Sequence, residues 1–285
     1  MSKLDQFESA FKSAAKDVYT FTRVTMPKVL VVTDLDPEAS ARFADDVRSY
    51  LDVISDKEAT TWTEFSVGDE EDVGDLLERI ESERPDLICT YRNLRGRARD
   101  FPFSLGSHVD VLTQAISTPV LLLPDPEDDR LSPSCRNTSH VMVLTDHLTG
   151  SDKLIDYAVR FTERDGTLLL AHLEDDATYQ RYMEVIAKIP EIDTDTARRR
   201  IHEQLLKEPA DYIRSVREEL EEKVKTIHIA AEIRMGHHIA DCQQVLRDHE
   251  VDLLVMNTKD DEQLAMHGLA YPLAVELRSL SLLLL

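Results

Sequence analysis

The sequence predicts an α/β chain built twice over, as two parallel-sheet sandwich domains, and three observations carry that reading. Two apolar runs each end in Thr-Asp, "KVLVVTD" at 28–34 and "HVMVLTD" at 140–146. Two further runs open on Asp-Leu, "DLICTY" at 86–91 and "DLLVMN" at 252–257. Each half then closes on a leucine run, "VLLLP" at 120–124 and "SLLLL" at 281–285, and 14 residues separate Gly106 from Val120 and Gly268 from Leu282. A strand covered by helices on both faces is apolar throughout, so continuous runs alternating with helical segments read as a parallel sheet. Internal duplication is the economical explanation.

Taken in order, residues 1–27 are expected to form an N-terminal helical extension, because Leu4, Phe7, Phe11, Ala14 and Val18 recur at helical spacing. Such a helix would dock on its own protein or meet a partner. The first domain, 28–124, then runs strand, helix (Phe43, Val47, Tyr50, Leu51, Ile54), strand "TTWTEFSV" at 60–67, helix, strand, a helix opened by Gly106 and the closing strand. Residues 125–139, rich in Pro, Asp and Ser, read as a linker. The second domain, 140–285, repeats the pattern, with Leu154, Ile155, Ala158 and Phe161 on its first helix.

The halves differ in the middle. From Asp34 to Asp86 is 52 residues, whereas Asp146 to Asp252 spans 106. The second half uses its excess for a strand, "TLLLAHL" at 167–173, and a mostly helical stretch through Val224 in which Pro209 is placed for a helix start. The first domain is therefore expected to lack one strand–helix unit. Both closing strands would be bare apolar sheet edges, which folded chains avoid, so they are expected to pair as an internal pseudo-dimer.

Composition narrows the function. A formal charge of −22 argues against general binding to nucleic acid or to an anionic membrane. Cys89, Cys135 and Cys242 lie far apart without CxxC spacing, which suits a reducing cytoplasm and gives neither a disulfide framework nor a zinc motif. The first residues lack an apolar signal core and no run approaches a membrane span, so a cytoplasmic location without membrane insertion is expected.

Each half resembles a universal stress protein domain, and the whole is similar to the tandem, two-domain type. The resemblance covers about 28–124 and 140–285 and rests on the strand-Thr-Asp openings, the Asp-Leu strands, the glycine before a helix and the closing strands. It implies a Rossmann-like, five-stranded parallel sandwich. Nucleotide-binding members carry G-x2-G-x9-G-[S/T] between the fourth strand and its helix. The first half reads N-x2-G-x9-G-S through Asn93, Gly96, Gly106 and Ser107. Asn tolerates positive φ better than other non-glycine residues, so the substitution is mild. Counted from the strand instead, Tyr91 stands at the first glycine. The resemblance implies ATP or another adenine nucleotide over this loop, with Asp34 at the edge of the first strand and a divalent ion accompanying it. Arg92, Arg95, Arg97 and Arg99 crowd the same loop. They would hold phosphates or, as solvated side chains, balance surface carboxylates.

In the second half the motif has decayed: "TKDDEQLAMHGLA" follows Asn257, and Leu269 replaces the serine after Gly268. The second-domain cleft is expected to present Asp146, His172, Asn257 and Gly268, with His147, Glu174, Asp175, Asp176, Arg234, His237 and His238 nearby. Imidazole and carboxylate there suit a divalent metal, and equally suit helix caps and exposed loops, so no metal site is assigned. No G-x-G-x-x-G follows a strand and no P-loop or nucleophile-base pair stands out, so no catalytic residue is assigned and a slow ATPase is the most the pattern fits. Two functions are expected: a cytoplasmic stress-response regulatory protein binding an adenine nucleotide through its first domain, or an adaptor with vestigial sites acting on an unidentified protein partner, with or without further homodimerisation.

Overall fold

An aspartate fixes the sheet in each half by the same pair of bonds. Asp86 accepts the Lys28 N–H at 2.8 Å and returns its own N–H to the Lys28 carbonyl at 2.8 Å. Asp252 accepts the His140 N–H at 3.0 Å and donates to the His140 carbonyl at 2.8 Å. The structure, a computed structural model, describes residues 18–55, 60–68, 72–96, 103–126, 137–145, 151–236, 239–258 and 270–285.

The first half contains β1 (Lys28–Thr33), α1 (Pro37–Tyr50), α2 (Asp52–Ser55), β2 (Thr61–Ser66), α3 (Val73–Glu83), β3 (Leu87–Tyr91), α4 (Ser107–Ala115) and β4 (Val120–Leu123). The second contains β5 (His140–Thr145), α5 (Asp152–Phe161), β6 (Thr167–Glu174), α6 (Asp176–Ile186), α7 (Thr194–Lys223), β7 (His228–Met235), α8 (Ile239–Asp248), β8 (Leu253–Met256), α9 (Ala270–Glu276) and β9 (Ser281–Leu284). The second half thus adds the strand and helices that the first lacks. One sheet of nine strands, ordered β2-β1-β3-β4-β9-β8-β5-β6-β7, runs through both.

Within each half every pairing is parallel; the halves meet antiparallel at β4 and β9, with Leu121 opposite Leu283 and Leu122 opposite Leu282. Val120–Leu123 and Leu282–Leu284 are buried, so the pairing removes the two apolar edges that the sequence would otherwise leave bare. Burying these leucines contributes roughly 1.5–3 kcal/mol each, so the seam is a core and not a loose domain contact.

Local chemistry sets the helix starts. Asp36 caps α1 through the N–H groups of Glu38 and Ala39, with Pro37 at the first helical position. Asp72 and Asp75 form a capping box on α3.

Two expectations are corrected. Pro209 does not start a helix: α7 begins at Thr194, capped by Asp193, and carries Pro209 in its interior. Residues 18–26 are not helical, and they lie as an irregular strap with Tyr19 and Met26 buried. The remainder of the expected N-terminal helix, at 1–17, lies outside the described residues, as do Cys135 and most of the linker. Among the described residues, no helix is long and apolar enough to cross a membrane.

Candidate functional site

The C-terminal ends of β1 and β3 meet where the sequence places Asp34 and the loop from Asn93. β3 ends at Tyr91, whose hydroxyl donates to one carboxylate oxygen of Asp34 and accepts the Asp34 N–H at 2.9 Å. The other carboxylate oxygen accepts the Arg95 N–H at 3.0 Å. Asp34 therefore ties the loop to the first strand. Burial pushes the Tyr91 phenol up, and its bond to Asp34 adds to that, so the hydroxyl stays a donor.

The loop itself is held by backbone. Asn93 has φ 62° and Arg95 φ 58°, both left-handed. The Asn93 N–H donates to Leu105 O at 2.8 Å, and Gly96 N–H closes back on Asn93 O at 2.6 Å. These bonds bring the two ends of the segment together at Gly106. Gly106 has φ 93°, and a Cβ there would stand 2.9 Å from the Asn93 Cα. Only glycine fits, for reasons of both torsion and space.

Gly106 is also the N-cap of α4 and contributes no side-chain cap. Ser107 opens the helix, exposed, with its hydroxyl 3.5 Å from His108 Nδ1. His108 is buried, and its Nε2 has no hydrogen-bond partner. Burial and the nearby Arg95 charge both hold the imidazole pKa below its ordinary value. The helix start thus gathers uncapped N–H groups, a hydroxyl and an unsatisfied buried imidazole beside one arginine.

Arg92 does not join this group. It is 3% exposed, and its guanidinium donates to the carbonyls of Ala274 and, at 2.8 Å, Leu277, at the C-terminal end of α9. The expected phosphate contact of Arg92 is replaced by a helix-end contact across the seam, where carbonyls without intrahelical partners need donors. Arg97 and Arg99 lie outside the described residues. Sequence reading passed over His108, although an imidazole one residue past a Gly-Ser helix start was visible.

The second-domain cleft is assembled differently. His172 is buried on β6, its Nε2 3.0 Å from Glu174 Oε2 and its Nδ1 without a partner. Asp175 caps α6 through the N–H groups of Ala177 and Thr178, which is the helix-cap alternative for that residue. Asn257 is exposed just beyond β8, while the next residue, Thr258, bonds Leu285 O through both N–H and hydroxyl. Asp146, His147, His237, His238, Gly268 and the acidic run Asp260–Glu262 lie outside the described residues. Among the described residues no three His, Cys, Asp or Glu side chains converge to hold a metal ion.

Comparison with known proteins adds the family. Residues 137–268 match the model of the universal stress protein family. The chain carries a universal stress protein domain. The matched residues take in β5, β6, β7 and β8, four of the five strands in the second half's order β9-β8-β5-β6-β7. No curated protein sequence matches the chain. Among solved structures, a universal stress protein from Archaeoglobus fulgidus is 14% identical, covers 90% of this chain and 85% of that one, and superposes with a TM-score of 0.48. A functionally unknown protein from Pseudomonas aeruginosa is 12% identical over 91% of this chain and 92% of its own, with a TM-score of 0.48.

Proposed function

We propose that this universal stress protein acts as a stress-response regulator that binds an adenine nucleotide through its first domain. The observation that carries the reading is the start of α4. Gly106, which cannot bear a side chain, leaves that helix end without a side-chain cap, beside Ser107, Arg95 and the unpartnered Nε2 of the buried His108. A helix start with open N–H groups favours an anion through both its donors and its dipole. The residues fit a phosphate group. The backbone of Gly106 and Ser107, the Ser107 hydroxyl and Arg95 would hold it, and Asp34 would act by keeping the loop closed through the Arg95 N–H.

Calorimetric titration with ATP tests the reading. The wild-type chain should bind saturably, and Arg95→Gln should lose tenfold or more in affinity, since one charged hydrogen bond contributes about 1.5–3 kcal/mol. A wild-type chain with no affinity for ATP, ADP or AMP would overturn the proposal. The adaptor reading, in which both clefts are vestigial, would then stand.

A further inference from the structure

The strap that precedes β1 crosses to the other half of the molecule and lies between α5 and α7. Four consecutive N–H groups are taken up there by side chains, and the two helices alternate. Tyr19 N–H donates to Ser215 Oγ at 3.1 Å, Thr20 N–H to Asp152 at 3.2 Å, Phe21 N–H to Glu219 at 3.2 Å and Thr22 N–H to Asp156 at 3.1 Å. Odd residues bond α7 and even residues bond α5.

The spacing explains why this works. Successive N–H groups of an extended chain point to opposite sides and recur on one side every two residues, about 6.6 Å. Positions i and i+4 on a helix are about 6 Å apart along its axis. Ser215 with Glu219, and Asp152 with Asp156, are such pairs. Two helices therefore offer two rows of acceptors at the repeat of an extended peptide, as two neighbouring strands would.

This reading of the main chain is independent of sequence, whereas the next contact is not. The Tyr19 ring is buried edge-on to Tyr212, with centroids 6.5 Å apart, and its hydroxyl donates to Asp156 at 2.7 Å. Tyr212 in turn donates to Asp152, so each aspartate of the row also receives a tyrosine hydroxyl. Exposure alternates along the strap, with Tyr19 buried, Thr20 exposed, Phe21 half-buried and Thr22 exposed, as for a peptide presenting one face to a groove.

We propose that the α5–α7 groove is a docking site for an extended, tyrosine-bearing peptide, and that residues 19–22 of the chain occupy it in cis and so gate it. Four main-chain bonds and one buried aromatic anchor are the means by which sheet edges capture peptides, here built from helix side chains. The site is separate from the α4 loop and does not depend on nucleotide binding.

The full-length chain and its Tyr19→Ala variant test this with a fluorescent peptide spanning residues 18–27, added up to concentrations on the order of millimolar, the range in which a trans peptide competes with a tethered one. The variant should take up the peptide at least tenfold more tightly than the wild type does. A peptide carrying the same Tyr19→Ala change should not bind. Equal binding to both chains, equal binding of both peptides, or no binding to the variant would each overturn the proposal. Hydrogen exchange on the unaltered chain gives an independent reading: the amides of residues 19–22 should exchange slowly, and exchange at the rate of a free peptide would also overturn it. Tyr19→Phe, which keeps the ring and removes the hydroxyl, should show intermediate uptake of the peptide, and uptake no greater than the wild type's would remove the Asp156 contact from the recognition.

Discussion

The second half of the chain matches the universal stress protein family over residues 137–268, yet the loop closed around Gly106 at a helix start belongs to the first half. Both halves hold their opening strand with an aspartate bond to the backbone and bury their closing strand. The Asp-Leu strand also ends alike in both, with Arg92 N–H bonding Leu123 O at 3.2 Å and Thr258 N–H bonding Leu285 O at 2.9 Å. In the first, Asn93, Gly96 and Gly106 fold the backbone onto itself in front of α4. In the second, the corresponding loop lies outside the described residues, and Thr258 adds a hydroxyl bond to Leu285 O at 2.8 Å. A family pattern is mostly a record of core positions, because buried strands tolerate little change, whereas loops change freely. Which half carries a site is decided by loop chemistry, and fold membership does not settle it.

The comparison depends on the two halves being one body, and the seam is the place to break that. Leu283 lies opposite Leu121 and is fully buried. Leu283→Asp puts a carboxylate into that seam, at an expected loss on the order of 4 kcal/mol or more. Urea unfolding followed by circular dichroism should turn from one transition into two, or the variant should aggregate through its uncovered edge. A single transition at an unchanged midpoint would show that the halves do not stabilise each other.

A smaller effect is expected at two arginines that cross the seam in opposite directions. Arg92 of the first half caps the end of α9, and Arg160 of the second donates to the carbonyls of Val53, at 2.8 Å, and Ile54 in α2. A guanidinium fork suits paired carbonyls at a helix end, and removing it strands them. Arg92→Met and Arg160→Met should each cost roughly 1–3 kcal/mol in urea unfolding. Burial works against the Arg92 charge, with Arg278 adding to that, so its contact is the more costly to form. Arg92→Met should therefore fall nearer the lower figure, and a larger loss than that of Arg160→Met would reverse this ordering.

These two arginines also mark how far the sequence could be read. Strands were legible because a run such as Val29–Val32 is apolar on both faces, and the β4–β9 pairing followed from two leucine runs with nowhere else to go. Asn93, Gly96 and Gly106 lie together in one loop, and Asp34 is bound to it through the Arg95 N–H. Arg92 and Arg95 were not separable, because an irregular loop has no period, and only the fold shows that one side chain turns into the seam. Pro209 misled because proline is favoured in a first turn, yet α7 continues past it on the strength of Tyr212, Ile213, Val216 and Leu220, all buried. The strap was illegible for a different reason: its partners Asp152, Asp156, Ser215 and Glu219 lie more than a hundred residues away, and each looks like an ordinary surface residue.

The smallest effect is expected at Asp110, on the inner side of α4. One of its carboxylate oxygens is buried without a partner, and burial raises its pKa above the ordinary carboxylate value. The charge also pushes up the Tyr271 phenol on α9, after burial, so Asp110 is felt across the seam. The position in the first turn of α4 favours a negative charge through the helix dipole, but the desolvated oxygen opposes it more strongly. With the folded pKa raised, the stabilisation from this group is complete below the ordinary carboxylate pKa and is lost as pH rises through the raised value. At neutral pH the ionised Asp110 is therefore a cost, and Asp110→Asn removes the charge while keeping the shape. Thermal melting at pH 7 should place the variant slightly above the wild type. The gap should narrow as pH falls toward the ordinary carboxylate range, where the wild-type side chain is itself neutral. Asp156 and Asp252, whose pKa values are also raised, titrate alike in both chains and cancel from the difference. A gap that stayed constant with pH, or a variant that melted lower at pH 7, would mean that the helix dipole outweighs burial at the start of α4. The same helix end would then be holding an anion already, in the form of Asp110, and would have less attraction left for a phosphate.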